Sequence, residues 1–320
     1  EGASDLIETD YEIGQDNYEG KIGPFGLDFH NPVFAISALV VIAFVVLTLA
    51  FQEQIGPAFG AMRGYLTSTF DWFFISAANV FVIVCLGILV SPLGKVRIGG
   101  AEATPDYSYV GWFSMLFAAG MGIGLMFFGV LEPVYYFGSP WGDTPLGGSI
   151  GIVDGTLADA ATVEAARSLA MASTIFHWGL HPWAIYAIVA LSLALFAYNK
   201  GLPLTVRSMF YPIFGEKVWG WPGHIIDILA VFATIFGLST SLGLGSQQAS
   251  AGLGFVLDMP ELGSSIITSL VLIAIITAMA LVSVLRGLDG GVKILSEVNM
   301  GLAILLMFFV LLVGPTLVLL

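Results

Sequence analysis

Apolar runs of the length that crosses a bilayer, about 20 residues each, recur along the chain at roughly 32–51, 70–92, 111–137, 168–197, 224–257, 266–285 and 298–320, with shorter polar stretches between them. The pattern predicts seven transmembrane helices. The third, fourth and fifth runs are longer than a straight crossing needs, so tilt, a kink or a non-helical break is expected in each. Basic residues sort by connection. Lys95 and Arg97 follow the second run, Lys200, Arg207 and Lys217 the fourth, and Arg286 and Lys293 the sixth, while Lys21 precedes the first; the opposite side holds Arg63 and Arg167. That asymmetry places the N-terminus in the cytoplasm and the acidic connection 139–166 outside. None of the runs contains Lys or Arg, which argues against a voltage sensor and against a salt-bridged inorganic anion as cargo.

Composition agrees. Of the 320 residues 57% are hydrophobic and 10% charged, and the mean hydropathy is +0.92, values that belong to an integral membrane protein. The net charge of −13 suggests a basic partner only until its positions are read. Glu1, Asp5, Glu8, Asp10, Glu12, Asp16, Glu19 and Asp28 crowd into the first 30 residues, and are expected to form a solvated tail. Cys85 is the one cysteine, so there is neither a disulfide framework nor a metal-binding spacing. The chain opens on Glu1 and closes inside an apolar run without a signal-peptide pattern, and is expected to be part of a longer protein.

Two segments depart from plain membrane filler. The third run reads FAAGMGIGLMFFGVLEP over 117–133, and each glycine weakens a helix by about 1 kcal/mol relative to Ala. Gly120, Gly122 and Gly124 therefore mark either a seam where a neighbouring helix packs closely or a place where the helix unwinds and presents backbone to a ligand. A phosphate loop is excluded, because no strand precedes the glycines and no Lys-Ser/Thr pair follows.

The fourth run contains FHWGLHPWAIY over 176–186. At 100° per residue from Trp178, Tyr186 falls at about 80° and Trp183 at about 140°, whereas His177 and His181 fall at about −100° and −60°. One face thus carries two indoles and a phenol, with Pro182 expected to bend the helix. An interfacial aromatic belt would sit at the end of a span; these rings lie farther in. Their arrangement suits a cage for a cation whose charge is spread over methyl groups, worth about 0.5–2 kcal/mol per desolvated ring. His177 and His181 have the spacing of a metal pair but no third ligand, so packing is the simpler role. In the fifth run Thr234, Ser239, Thr240, Ser241 and Ser246 either bond back to their own helix or ligate Na⁺. Glu132, ahead of Pro133, is the most interior carboxylate and is expected to be structural.

These segments, with YNKGLPLTVRSMFYP (198–212) and NMGLAILLMFFVLLVGPT (299–316), resemble the betaine/carnitine/choline transporters, in the same order along the chain. The resemblance implies an all-α integral membrane protein with the LeuT-like five-plus-five inverted-repeat fold. It divides the chain into an acidic cytoplasmic tail (1–30), two peripheral transmembrane helices (31–97) and the first five-helix repeat (98–320). It also implies Trp178, Trp183 and Tyr186 as members of an onium-binding aromatic box, and Gly120, Met121, Gly122, Ile123 and Gly124 as the flexible substrate-facing segment. Gly124, where proton-coupled choline carriers tend to have Asp, resembles the sodium-coupled betaine type. The carbonyls of Ala118 and Met121 match one sodium site and Thr234 a second. Leu238 departs from that second site, since an aliphatic side chain supplies no oxygen. The implied activity is sodium-driven import of glycine betaine or a related onium zwitterion, in a homotrimer in the bacterial inner membrane. No cofactor is implied beyond Na⁺ as the coupling ion. A passive channel gains little from a cage that slows release. An intramembrane enzyme lacks a nucleophile with a supporting base and acid.

Overall fold

The structure, a computed structural model, describes residues 6–122, 124–138, 152–153, 156–157 and 160–314. Among these it is helical with two small antiparallel hairpins. Six helical stretches among the described residues are long and apolar enough to cross a membrane: Asn31–Ala50, Gln52–Val90, Thr162–Asn199, Trp221–Val256, Ile266–Leu285 and Leu288–Val313. The third expected crossing is broken instead. Helix α3 (Tyr109–Met121) stops at Gly122, and the run resumes as a π-helical turn (Gly124–Phe128) leading into α4 (Gly129–Gly138).

The first two crossings, α1 (Asn31–Ala50) and α2 (Gln52–Val90), meet at Phe51 with no loop between them. At 1.5 Å per residue α2 is about 58 Å long, nearly twice the roughly 30 Å hydrocarbon thickness. Arg63, expected on an outer connection, lies within this helix. Likewise the last helix, α11 (Lys293–Val313), takes in Lys293 and Glu297 ahead of the apolar run, so the expectation of spans free of basic residues holds for the apolar runs and not for the helices. Hydropathy marks where the oily surface ends. It does not mark where backbone hydrogen bonding stops.

The chain divides into two compact units, residues 1–103 with 176–237, and residues 104–175 with 238–320. In the first unit the hairpin β1 (Asn17–Ile22) and β2 (Phe25–His30) turns at Gly23, whose φ of +59° suits glycine, and leads directly into α1. Within the acidic tail, apolar and aromatic residues ahead of the hairpin are docked. Tyr11 stacks on Trp219 with ring centroids 4.5 Å apart, Trp219 Nε1 donates to Thr9 Oγ1 at 2.8 Å, and Ile7 N donates to the Lys200 carbonyl at 3.0 Å. Ile7 and Tyr11 thereby cover the buried cluster of Leu202, Val218 and Trp219. The acids Glu8, Asp10, Glu12, Glu19 and Asp28 stay exposed, as their charge requires.

Beneath the hairpin lies a buried ion pair. Arg207 Nε donates to Asp227 Oδ2 at 2.5 Å and the Arg207 backbone N to Oδ1 at 2.9 Å. Arg207 Nη2 lies 3.0 Å from His30 Nε2, and that nitrogen lies 3.4 Å from Asp16 Oδ2. Burial, then the Arg207 charge, lowers the His30 pKa against the opposing pull of Asp16 and Asp227. Burial, then Asp16, raises the Tyr11 phenol.

In the second unit α3 packs along α11. Gly111 faces this contact, where a Cβ would sit 2.8 Å from the movable end of the Lys293 side chain at Cε. Helix α10 (Ile266–Leu285) turns at Gly287, φ +74°, into the π-helical Leu288–Val292.

Candidate functional site

The aromatic segment is built on a helix break. Helix α5 (Ala160–Trp178) ends one residue before Gly179, which has φ −85° and ψ −134°, and α6 (Leu180–Ala194) begins directly after it. Pro182 falls in the first turn of α6, where its missing N–H has no intrahelical acceptor to lose. The expected bend at Pro182 is therefore an interruption at Gly179. Angles reckoned from Trp178 do not carry across it.

Within α6 the helical arithmetic holds. Trp183 and Tyr186, three residues apart, share a face with ring centroids 5.8 Å apart and planes at 47°. They are 44% and 61% exposed, so each keeps a ring face uncovered by its own unit. Trp178, on the far side of the break, is half-buried with its ring centroid 4.9 Å from that of His177. His181 meets Phe176 across the break, centroids 4.6 Å apart, and its Nε2 lies 3.2 Å from Asn79 Oδ1. Among the described residues no group of three His, Cys, Asp or Glu side chains has the spacing to hold a metal.

The glycine segment shows its break in the backbone. With α3 ending at Met121, Ala118 and Met121 lie in its last turn, where helix carbonyls in general run out of intrahelical amides. Gly120 is half-buried, Gly122 exposed and Gly124 buried; Ile123 lies outside the described residues. Gly111, on the same helix, faces α11, and nothing in the local pattern distinguished that glycine. Glu132 is buried near the start of α4.

Thr234, on α8 (Trp221–Val256), donates its hydroxyl to the Ala230 carbonyl at 2.9 Å, and Ser246 does the same to Gly243 at 2.9 Å. Both follow the back-bonding reading, and the Thr234 oxygen keeps its lone pairs. It lines an open cavity of about 450 Å³ in the first unit together with Val33, Leu193 and Ala230. One turn on, Leu238 is 59% exposed. Trp178, Trp183, Tyr186 and Thr234 belong to the first unit; Ala118, Gly120, Met121, Gly122, Gly124 and Leu238 belong to the second. Sequence reasoning passed over Asn79, although an amide midway along the apolar run 70–92 signals a polar partner on a neighbouring helix.

Comparison with known proteins agrees with this architecture. Residues 32–320 match the betaine/carnitine/choline family transporter profile. A glycine betaine/proline/choline transporter of Vibrio parahaemolyticus is 58% identical, the match covering 100% of this chain and 58% of that protein. A glycine betaine transporter of Bacillus subtilis is 41% identical over 89% of this chain and 52% of its own length. A high-affinity choline transport protein of Escherichia coli is 40% identical over 89% of this chain and 40% of its own. The chain spans about half the length of the curated relatives it matches, all of which are named as transporters and none as an enzyme. A profile that matches nine-tenths of the chain, on a protein with several apolar helices and a broken third crossing, leaves one assignment: this chain belongs to the betaine/carnitine/choline transporter family of multi-pass membrane proteins.

Proposed function

We propose that the protein works as a secondary symporter that imports a methylated onium zwitterion, glycine betaine first, by alternating access driven by the sodium gradient. The observation that carries this reading is the pair of adjacent, half-open rings of Trp183 and Tyr186 at 5.8 Å, seated just after the break at Gly179. Ring faces attract a diffuse cation without demanding a counter-charge, which suits cargo that is neutral overall. Trp178 completes the box from the other side of the break. Related cargoes with the same head chemistry are dimethylsulfoniopropionate, choline and carnitine, with ectoine as a further compatible solute. The names of the relatives support the betaine and choline end of that range.

In this reading the carbonyls of Ala118 and Met121, in the last turn of α3, are the donors offered to sodium, and Thr234 offers a hydroxyl oxygen elsewhere. An ion bound there favours the substrate-ready state only by its differential affinity for the two states. Proton coupling is the alternative, and the dependence of uptake on the imposed ion gradient decides it. In this reading the protein lies in the inner membrane as a homotrimer with its N-terminus cytoplasmic.

The test is uptake of labelled glycine betaine by cells that make the protein and lack other betaine carriers. Trp178→Leu and Trp183→Leu are each expected to raise the KM by roughly 2- to 30-fold, the factor equivalent to one desolvated cation–ring contact, at unchanged amounts in the membrane. Wild-type affinity in both variants contradicts the cage. Flux that neither saturates nor follows the sodium gradient identifies a passive channel.

A further inference from the structure

The aromatic face of α6 is aimed by a helix outside the segment that carries it. Helix α2 packs along α6 within the first unit, and two polar contacts mark the seam. Asn79 Oδ1 lies 3.2 Å from His181 Nε2, and Cys85 Sγ lies 3.9 Å from the carbonyl oxygen of Ala184, a residue only 6% exposed. His181 and Ala184 are three residues apart and share one face of α6. Trp183 lies about 200° from His181 around the helix, and Tyr186 about 200° from Ala184. The face that α2 grips is thus opposite the face that presents the rings.

The polarity of the Asn79–His181 bond follows from its neighbours. Asn79 Nδ2 donates to the Ile75 carbonyl at 2.8 Å, and a carbonyl only accepts, so the amide oxygen is the atom turned to His181. His181 therefore donates from Nε2. Its ring also bridges the Gly179 break by its contact with Phe176, so one imidazole links the end of α5, the start of α6 and α2. Both groups belong to apolar runs, and hydrocarbon offers neither of them another partner.

We infer that Asn79, through its hydrogen bond to His181, is a positioning residue that sets the direction of Trp183 and Tyr186 and thereby the affinity for the onium cargo. The inference rests on the function proposed above. Asn79 touches no cargo itself; it acts through the imidazole.

The experiment measures the KM and maximal rate of glycine betaine uptake in cells, with rates normalised to protein in the membrane. Asn79→Ala is expected to raise the KM by about 3- to 20-fold, the range equivalent to one interhelical hydrogen bond in a membrane, with the maximal rate retained. Asn79→Gln, which keeps an amide oxygen, restores most of the affinity. His181→Ala reproduces the defect, and the double variant is no worse than either single one. An unchanged KM in Asn79→Ala, additive defects in the double variant, or a loss confined to the amount of protein overturns the inference. Absence of uptake by the wild type refutes the proposed function instead. The positioning role is then judged on purified protein, where Asn79→Ala must shift His181 out of its Nε2–H tautomer by ¹⁵N resonance and alter the near-ultraviolet dichroism band that Trp183→Phe removes. If both signals stay unchanged, the inference falls independently of transport.

Discussion

Replacing Asp227 by Asn tests whether the end of the first unit that carries the hairpin is held by one ion pair. The guanidinium of Arg207 sits in a residue only 2% exposed, and Asp227 is 8% exposed. The carboxylate accepts both the Arg207 Nε and its backbone N–H. Asn keeps one oxygen for one of those donors and turns an NH₂ toward the other, while Arg cannot shed its proton. What remains beside the buried charge is the His30 imidazole at 3.0 Å. Breaking one side of a buried pair costs about 3–5 kcal/mol. Because the segment Val206–Trp219 forms short turns around this pair and the core of Leu202, Val218 and Trp219, the loss should appear as local opening before global unfolding.

Hydrogen exchange of the amides in 206–219, on protein in lipid nanodiscs, reads that opening directly. A loss of about 3 kcal/mol accelerates exchange by roughly 150-fold, while amides in the second unit serve as the reference. The companion variant carries Arg207→Met with Asp227→Leu. Removing both charges removes the desolvation cost too, so this variant is expected to recover most of the protection, less the penalty for the Arg207 N–H left without its acceptor. Acceleration under tenfold in Asp227→Asn, or a double variant as unprotected as the single one, refutes the reasoning and makes the pair incidental to packing.

Acid should loosen the hairpin. The His30 pKa is lowered from 6.5 in the folded chain, so docking is at full strength above pH 6.5 and weakens as pH falls through the lowered folded value; protease cleavage within 17–30 should rise from pH 7.5 to pH 5, and His30→Gln should flatten the profile. Gly291→Ala should destabilise the second unit by about 1–3 kcal/mol, because its Cβ would overlap the Ser283 carbonyl oxygen. Gly301→Ala, inside α11 with no atom within 4 Å of the added Cβ, is the control and should stabilise by up to about 1 kcal/mol, both being read by thermal stability in detergent.

Lipid made most of the architecture legible in advance. A crossing segment must be apolar on its outer surface and satisfy its own backbone, so the runs at 32–51, 224–257 and 266–285 appear as helices close to where hydropathy places them. The same reasoning fails wherever the constraint changes. Residues 52–69 have no apolar signature yet continue as helix, since water tolerates a helix as readily as a loop. The docking of Tyr11 on Trp219 joins residues 208 apart, and no local pattern encodes a pairing at that range. The acids between which Tyr11 lies pointed to solvent, and their own side chains do reach it; the apolar residues interleaved with them did not weigh enough in the composition.

The aromatic segment shows where legibility ends within a single motif. Residue type alone singled out Trp183 and Tyr186, because indole and phenol groups are wasted on hydrocarbon, and their three-residue spacing survives in α6. The relation of Trp178 to them was not readable, because it depends on whether Gly179 or Pro182 interrupts the helix. Proline is the stronger breaker in a helix interior, but a proline in a first turn breaks nothing, and only the position of the helix start decides which case applies. That start is held by His181, whose partner Asn79 lies 102 residues earlier. A motif reports which chemistry a helix can offer. The direction in which it offers that chemistry is set by whatever grips the opposite face, and here that grip comes from a helix whose sequence, apart from one amide in an oily run, looks like filler.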